Sequence, residues 1–145
     1  MRTLELLAPA KNLAMAQLAI NHGADAIYIG CSDFGARQNA ANSISDVAVA
    51  VNYAHQYHAK VYVTLNTILM DNELEKARQL VYQLYNIGVD ALIIQDLGLL
   101  NMDLPPIALH SSTQMDNRTL EKIKYYKRWG ISRVILAREL SLEQI

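Results

Sequence analysis

The stretch Ile107–Asn117, IALHSSTQMDN, begins as a buried strand and turns within one peptide into an imidazole, hydroxyls and amides. A strand exit that needs only a turn uses Gly, Asn, Asp or Pro. His110, Ser112, Thr113 and Gln114 instead supply donors, acceptors and one group that titrates near neutrality. Such a set suits the binding and polarisation of a small ligand. Polar groups follow the other apolar runs too: Cys31 leading on to Arg37 and Asn42, Asn66 and Thr67, Gln95 and Asp96, Arg138 and Glu139. Only Pro9 and Ala10, after the first run, depart from this. Glu5, inside LELLA, is a further candidate, because a carboxylate within a covered strand must be paired or face an occupied cavity.

The elements that must position these groups repeat along the chain. NHGADAIYIG around Gly23, NIGVDALIIQD around Gly88 and RWGISRVILAREL around Gly130 each join a glycine, a short link and a run of β-formers. Each reads as a helix stop followed by a strand covered on both faces. Strands are expected near Leu4–Leu7, Ala26–Ile29, Val61–Leu65, Ala91–Ile94, Ile107–His110 and Arg133–Leu136. Between them, Asn12, Ser45, Asp71 and Asn117 stand as helix openers. Leu74, Ala77, Val81, Leu84 and Ile87 share one face of the longest helix, and Leu120, Ile123 and Tyr126 point inward from the last.

Six βα steps mean an α/β fold, either a doubly wound sheet or a (β/α)8 barrel. Neither G-x-G-x-x-G nor a Walker loop is present, which favours a partial TIM-type barrel of about six parallel strands with flanking helices. In either architecture ligands sit at the carboxyl ends of the strands. The polar exits therefore form one expected rim.

Other features narrow the chemistry. The chain has 145 residues, 52% hydrophobic and 19% charged, which fits one globular domain. Neither a secretory leader nor a membrane-length apolar run is evident, so a cytoplasmic protein without a membrane partner is expected. The single cysteine, Cys31, excludes an intrachain disulfide and a cysteine-only metal site, and reads as a small buried thiol. His55 and His58 have a spacing met in metal sites, but they lie at a helix carboxyl end, where the dipole favours imidazolium; no metal site is expected in this segment. Neither a Ser/His/Asp order nor a G-x-S-x-G elbow occurs.

Formal net charge is −1, yet Arg118–Arg133 holds six of the thirteen basic residues. Lys122, Lys124, Lys127 and Arg128 alternate there with Tyr125, Tyr126 and Trp129, an arrangement that could meet RNA phosphates and bases. The favoured reading is a solvated outer helix face with its aromatics packed inward.

ELLAPAKN, HGADAIYIG, YAHQYHAKVYVTLNTIL, GVDALIIQDLG, LHSSTQM and RVILARELSLEQI together resemble the N-terminal half of the collagenase-like peptidase family, peptidase family U32. The resemblance implies a TIM-barrel-like region followed by a cysteine-bearing C-terminal segment. It implies two activities: proteolysis, and hydroxylation of a tRNA uridine or rRNA cytidine. In RNA-modifying members it further implies an iron–sulfur cluster on the later cysteines and prephenate as co-substrate. Matching positions are Glu5, Pro9, Asn42, Asn66, Thr67, Asp96, His110, Ser112, Thr113, Gln114, Arg138 and Glu139. Cys31 and Lys11 depart from the pattern, standing where relatives usually carry Gly.

Three functional readings follow. The first is a segment of a tRNA or rRNA pyrimidine-hydroxylating protein, its rim binding a small organic acid or nucleobase with Arg138 as the anion partner. The second is a collagenase-like peptidase, and the third a non-catalytic module that binds RNA or another partner.

A closed barrel needs about 250 residues, so residues 1–145 are expected to be the N-terminal part of a (β/α) barrel domain within a longer protein, inactive in isolation. Exposed strand edges should make this piece self-associate. Sedimentation should reveal dimers or larger species; a monodisperse monomer would contradict the expectation.

Overall fold

The glycine-centred repeats have one structural meaning, visible in a computed structural model that describes residues 4–32, 34 and 42–145. Gly23 and Gly88 take φ of 92° and 86°, the left-handed region in which a side chain is strained. Each closes a helix. Two residues on, Asp25 accepts the Leu6 amide at 2.7 Å and Asp90 accepts the Val61 amide at 2.8 Å. The acid of each repeat thus fixes where the neighbouring strand begins. In the third repeat Ser132 does this with the opposite polarity, its hydroxyl donating to the Leu109 carbonyl at 3.0 Å.

The elements are β1 (Leu7–Ala10), α1 (Leu13–Asn21), β2 (Ala26–Gly30), α2 (Ile44–Gln56), β3 (Lys60–Leu65), α3 (Asp71–Asn86), β4 (Ala91–Ile94), β5 (Ala108–Ser111), α4 (Leu120–Arg128) and β6 (Ile131–Val134). Short 3-10 turns, Leu97–Asn101 and Thr113–Met115, flank β5. All strands are parallel, in the order β1-β2-β3-β4-β5-β6. A doubly wound sheet reverses its order at a switch point, whereas a barrel adds each strand to the last. The fold is therefore an open, six-stranded arc of a TIM-type barrel. No helix among the described residues is long and apolar enough to cross a membrane.

Alternate strand residues face opposite ways. Ile27, Ile29, Val61, Val63, Leu65, Leu92 and Ile94 meet Val47 and Val51 of α2 and Val81 and Leu84 of α3 in the main core. Ala26, Tyr62, Ala91 and Ile93 form a second, smaller cluster with Leu7, Tyr28 and Ile135 on the face turned away from the helices.

Several expectations need correction. β1 starts at Leu7, because Leu6 spends its amide on Asp25, so Glu5 precedes the strand. Ser43, not Ser45, caps α2 through a reciprocal box with Asp46. Met70 takes the cap position of α3, with Asp71 its first residue. Thr119 caps α4. Asn117 is instead fully buried as a brace, donating to Ser111 Oγ, the Ser112 carbonyl and the Ile135 carbonyl. Leu120 is exposed, since Tyr126 alone fills the inward position of this short helix.

Leu84 sits fully buried between α3 and the sheet. Leu84→Ala should cost about 2–5 kcal/mol in urea denaturation; a loss below about 1 kcal/mol would place it outside the core.

Candidate functional site

On the face away from the helices, register sets His110 of β5 beside Ile93 of β4 and Arg133 of β6. Tyr62 of β3 reaches the same space, its ring edge-on to the His110 imidazole with centroids 4.8 Å apart. The Tyr62 hydroxyl donates to Glu5 Oε2 at 2.9 Å. Arg133 closes the group with a forked pair, Nη1 to Glu5 Oε1 and Nη2 to Oε2, and its guanidinium lies 5.5 Å from the Tyr62 ring centroid. Lys60 adds a cation 3.8 Å from Glu5. Residues 128 positions apart meet in this cluster.

Its electrostatics follow from burial and charge. The Arg133 hydrogen bonds hold the Glu5 carboxyl below its usual range. Burial, aided by the Glu5 bond, pushes the Tyr62 phenol up to about 12. Burial, then the Arg133 charge, pushes His110 down to about 4. At neutral pH the cluster thus offers a neutral imidazole and a protonated phenol beside a compensated ion pair. With Lys60 the cluster holds two cations and one carboxylate, so it offers a ligand these hydrogen-bonding groups beside a net positive charge.

Of the expected rim residues, Asp96 and Gln114 share one cleft, and the structure places the others as follows. His110 lies within its strand, facing this inner space. Glu5 enters the same space from the amino-terminal side of β1, the end opposite the rim. Asn42 is buried as a brace, its amide donating to the Lys11 and Gly30 carbonyls at 2.9 and 2.8 Å. Asp96 accepts the Leu69 and Gly98 amides, and Thr67 donates to the Phe34 carbonyl. Ser112 is buried and caps the Thr113–Met115 turn. Asn66 and Thr113 are half-buried at the exits of β3 and β5, and Gln114, Arg138 and Glu139 are exposed. Arg37 lies outside the described residues. A shallow cleft of about 470 Å³ opens at the strand exits on the helix side, lined by Ile68, Gln95, Asp96, Gln114, Lys122 and Tyr126.

Sequence reasoning passed over Tyr62 and Lys60, and placed Arg133 only in the basic segment. The available signal was parity: Tyr62 alternates with core-facing Val61 and Val63, and Arg133 is a charge inside a β-forming run.

The family model of peptidase family U32 matches residues 11–145. The chain belongs to this family. Among curated relatives it is 58% identical over 142 residues to the 23S rRNA 5-hydroxycytidine C2501 synthase of Escherichia coli strain K12, covering 98% of this chain and 22% of that protein. It is 34% identical over 145 residues to tRNA hydroxylation protein P1 of Bacillus subtilis strain 168, covering 97% and 34%. The chain thus spans between a fifth and about a third of the length of these two relatives. Two solved structures share the fold. One is a U32 peptidase, with TM-score 0.69, 13% identity and coverage of 94% of this chain and 60% of that one. The other is phosphonopyruvate hydrolase, with TM-score 0.66, 15% identity and coverage of 94% and 54%.

An iron–sulfur cluster takes several cysteine thiolates, and this chain holds one cysteine. Its one cysteine is buried in the helix-side core with its thiol on the Asn42 carbonyl at 3.5 Å. Among the described residues no group of three His, Cys, Asp or Glu could hold a metal ion. His55 is occupied with Asp90 at 3.0 Å, and His58 lies beyond the end of α2.

An unfolded imidazole protonates near 6.5, the folded His110 only near 4. Between these values the unfolded chain binds more protons, so stability falls as pH drops through that window. Urea midpoints of His110→Gln should lose much of this acid sensitivity between pH 6.5 and 4; an unchanged pH slope would show that the imidazole is not held neutral.

Proposed function

We propose that this chain is the N-terminal barrel segment of an enzyme that hydroxylates a pyrimidine of ribosomal or transfer RNA. The observation that carries this reading is 58% identity, across 98% of the chain, to an rRNA 5-hydroxycytidine synthase. The inner face supports it chemically. A nucleobase is neutral and presents donors and acceptors along its edge, which suits the neutral His110, the Tyr62 hydroxyl and the compensated Glu5–Arg133 pair. Arg138, exposed after β6, is a cation at the carboxyl end that suits a carboxylate of an organic acid such as prephenate.

Peptidase action is the competing reading, since the family carries that name. A Cys–His nucleophile does not assemble here: Cys31 packs toward the helices, whereas His110 faces away from them.

Nucleoside mass spectrometry of rRNA and tRNA from a strain lacking the full-length gene should show loss of one hydroxylated pyrimidine, restored by the intact gene and less well by its His110→Ala form. An unchanged nucleoside profile would overturn the proposal. Cleavage of gelatin by the full-length protein, abolished by His110→Ala, would favour the peptidase.

A further inference from the structure

The aromatics of α4 are not all packed inward. Tyr126 is buried, but Tyr125 and Trp129 each keep 47% of their surface exposed, with ring centroids 6.0 Å apart. Two exposed rings one helical turn apart make a platform, and two cations flank one side of it. Successive helical residues turn by about 100°, which sets Lys124 and Arg128 on the flank next to Tyr125. Lys127 lies on the opposite side of the helix and adds only to the local positive field. Lys127 and Arg128 are exposed and form no ion pair with another described residue. Among the described residues Lys124 pairs only with Glu121, 2.9 Å away and 82% exposed, a bond that solvent and salt weaken readily. Lys122 is different: its ammonium is engaged by the Met115 and Asp116 carbonyls, so it braces the start of α4.

Charge is segregated accordingly. Residues 118–133 hold six basic side chains and one acid, and the rest of the chain holds seven basic against thirteen acidic. A polyanion approaching this molecule is drawn to α4 and repelled elsewhere.

We infer that the outer face of α4 is an RNA-docking surface, with Tyr125 and Trp129 stacking unpaired bases and Arg128 and Lys124 holding the adjacent phosphates. The inference rests on the RNA reading above and adds to it where the strand lies, on the outside of the arc and away from His110. Exposed aromatics beside arginine and lysine are the combination that single-stranded RNA selects, because every base has a face to stack and every link a phosphate.

Trp129 is the chain's only tryptophan, so its fluorescence reports the contact directly. Titration of the 145-residue chain with a pyrimidine-rich RNA of about twelve nucleotides should quench its emission saturably. Lys124→Glu combined with Arg128→Glu should weaken binding about tenfold or more and flatten the salt dependence, and Tyr125→Ala should weaken it several-fold, with unchanged circular dichroism. Absent quenching, or full affinity in the charge-reversed variant, would overturn the inference. So would equal quenching by phosphatidylserine vesicles. Failure of the two readings is distinguishable. Unaltered RNA affinity in α4 variants, with a hydroxylated pyrimidine still lost on gene deletion, defeats only the docking surface. RNA binding that depends on α4, with no nucleoside lost on deletion, defeats only the hydroxylation reading.

Discussion

A carboxylate two residues before the first strand and a guanidinium in the sixth are held in one fork, and the inner face of the arc is organised around that pair. Ladder hydrogen bonds tie each parallel strand only to its neighbours; among the described residues none joins β1 to β6. Glu5 and Arg133 reach across the intervening strands and meet. Each is also what makes the other tolerable, because a partly buried charge without a counterion is costly. Tyr62 completes the arrangement by donating to the carboxylate and presenting its ring to the guanidinium.

The chemistry of the inner face follows from this pair. Arg133 lies beside His110 in the ladder, so its charge adds to burial in keeping the imidazole neutral. The outer face is bound by a different constraint. Valine, leucine and isoleucine there are committed to helices, and polar residues at the strand exits serve mainly as braces: Asn42, Asp96 and Ser112 each satisfy backbone groups that a loop leaves unpaired. A polar strand exit therefore has two origins, and only its facing distinguishes them.

That distinction marks how far the sequence could be read. The repeats, the alternation of strands and helices and the barrel class were legible, because helix-stop glycines and continuous β-forming runs are local signals. The family resemblance was legible for the same reason, being spread over six blocks. The composition of the inner cluster was not. Glu5 and Arg133 are 128 residues apart, and no local pattern announces that they meet. Tyr62 looked like one more apolar residue in KVYVTL until register showed which way it points. Helix openings were misjudged by two residues at Ser45 and Asn117, the latter being spent as a buried brace. Trp129 and Tyr125 were expected inside; a helix of nine residues has room for little more than Tyr126 on its inward side.

The central claim is that Glu5 and Arg133 act as one unit. A double-mutant cycle with Glu5→Leu, Arg133→Met and the pair, read by urea denaturation, measures this directly. Because the guanidinium is partly solvated, the coupling should fall toward the lower part of the range for interacting neighbours, about 1 kcal/mol. Effects that add to within about 0.3 kcal/mol would contradict the account.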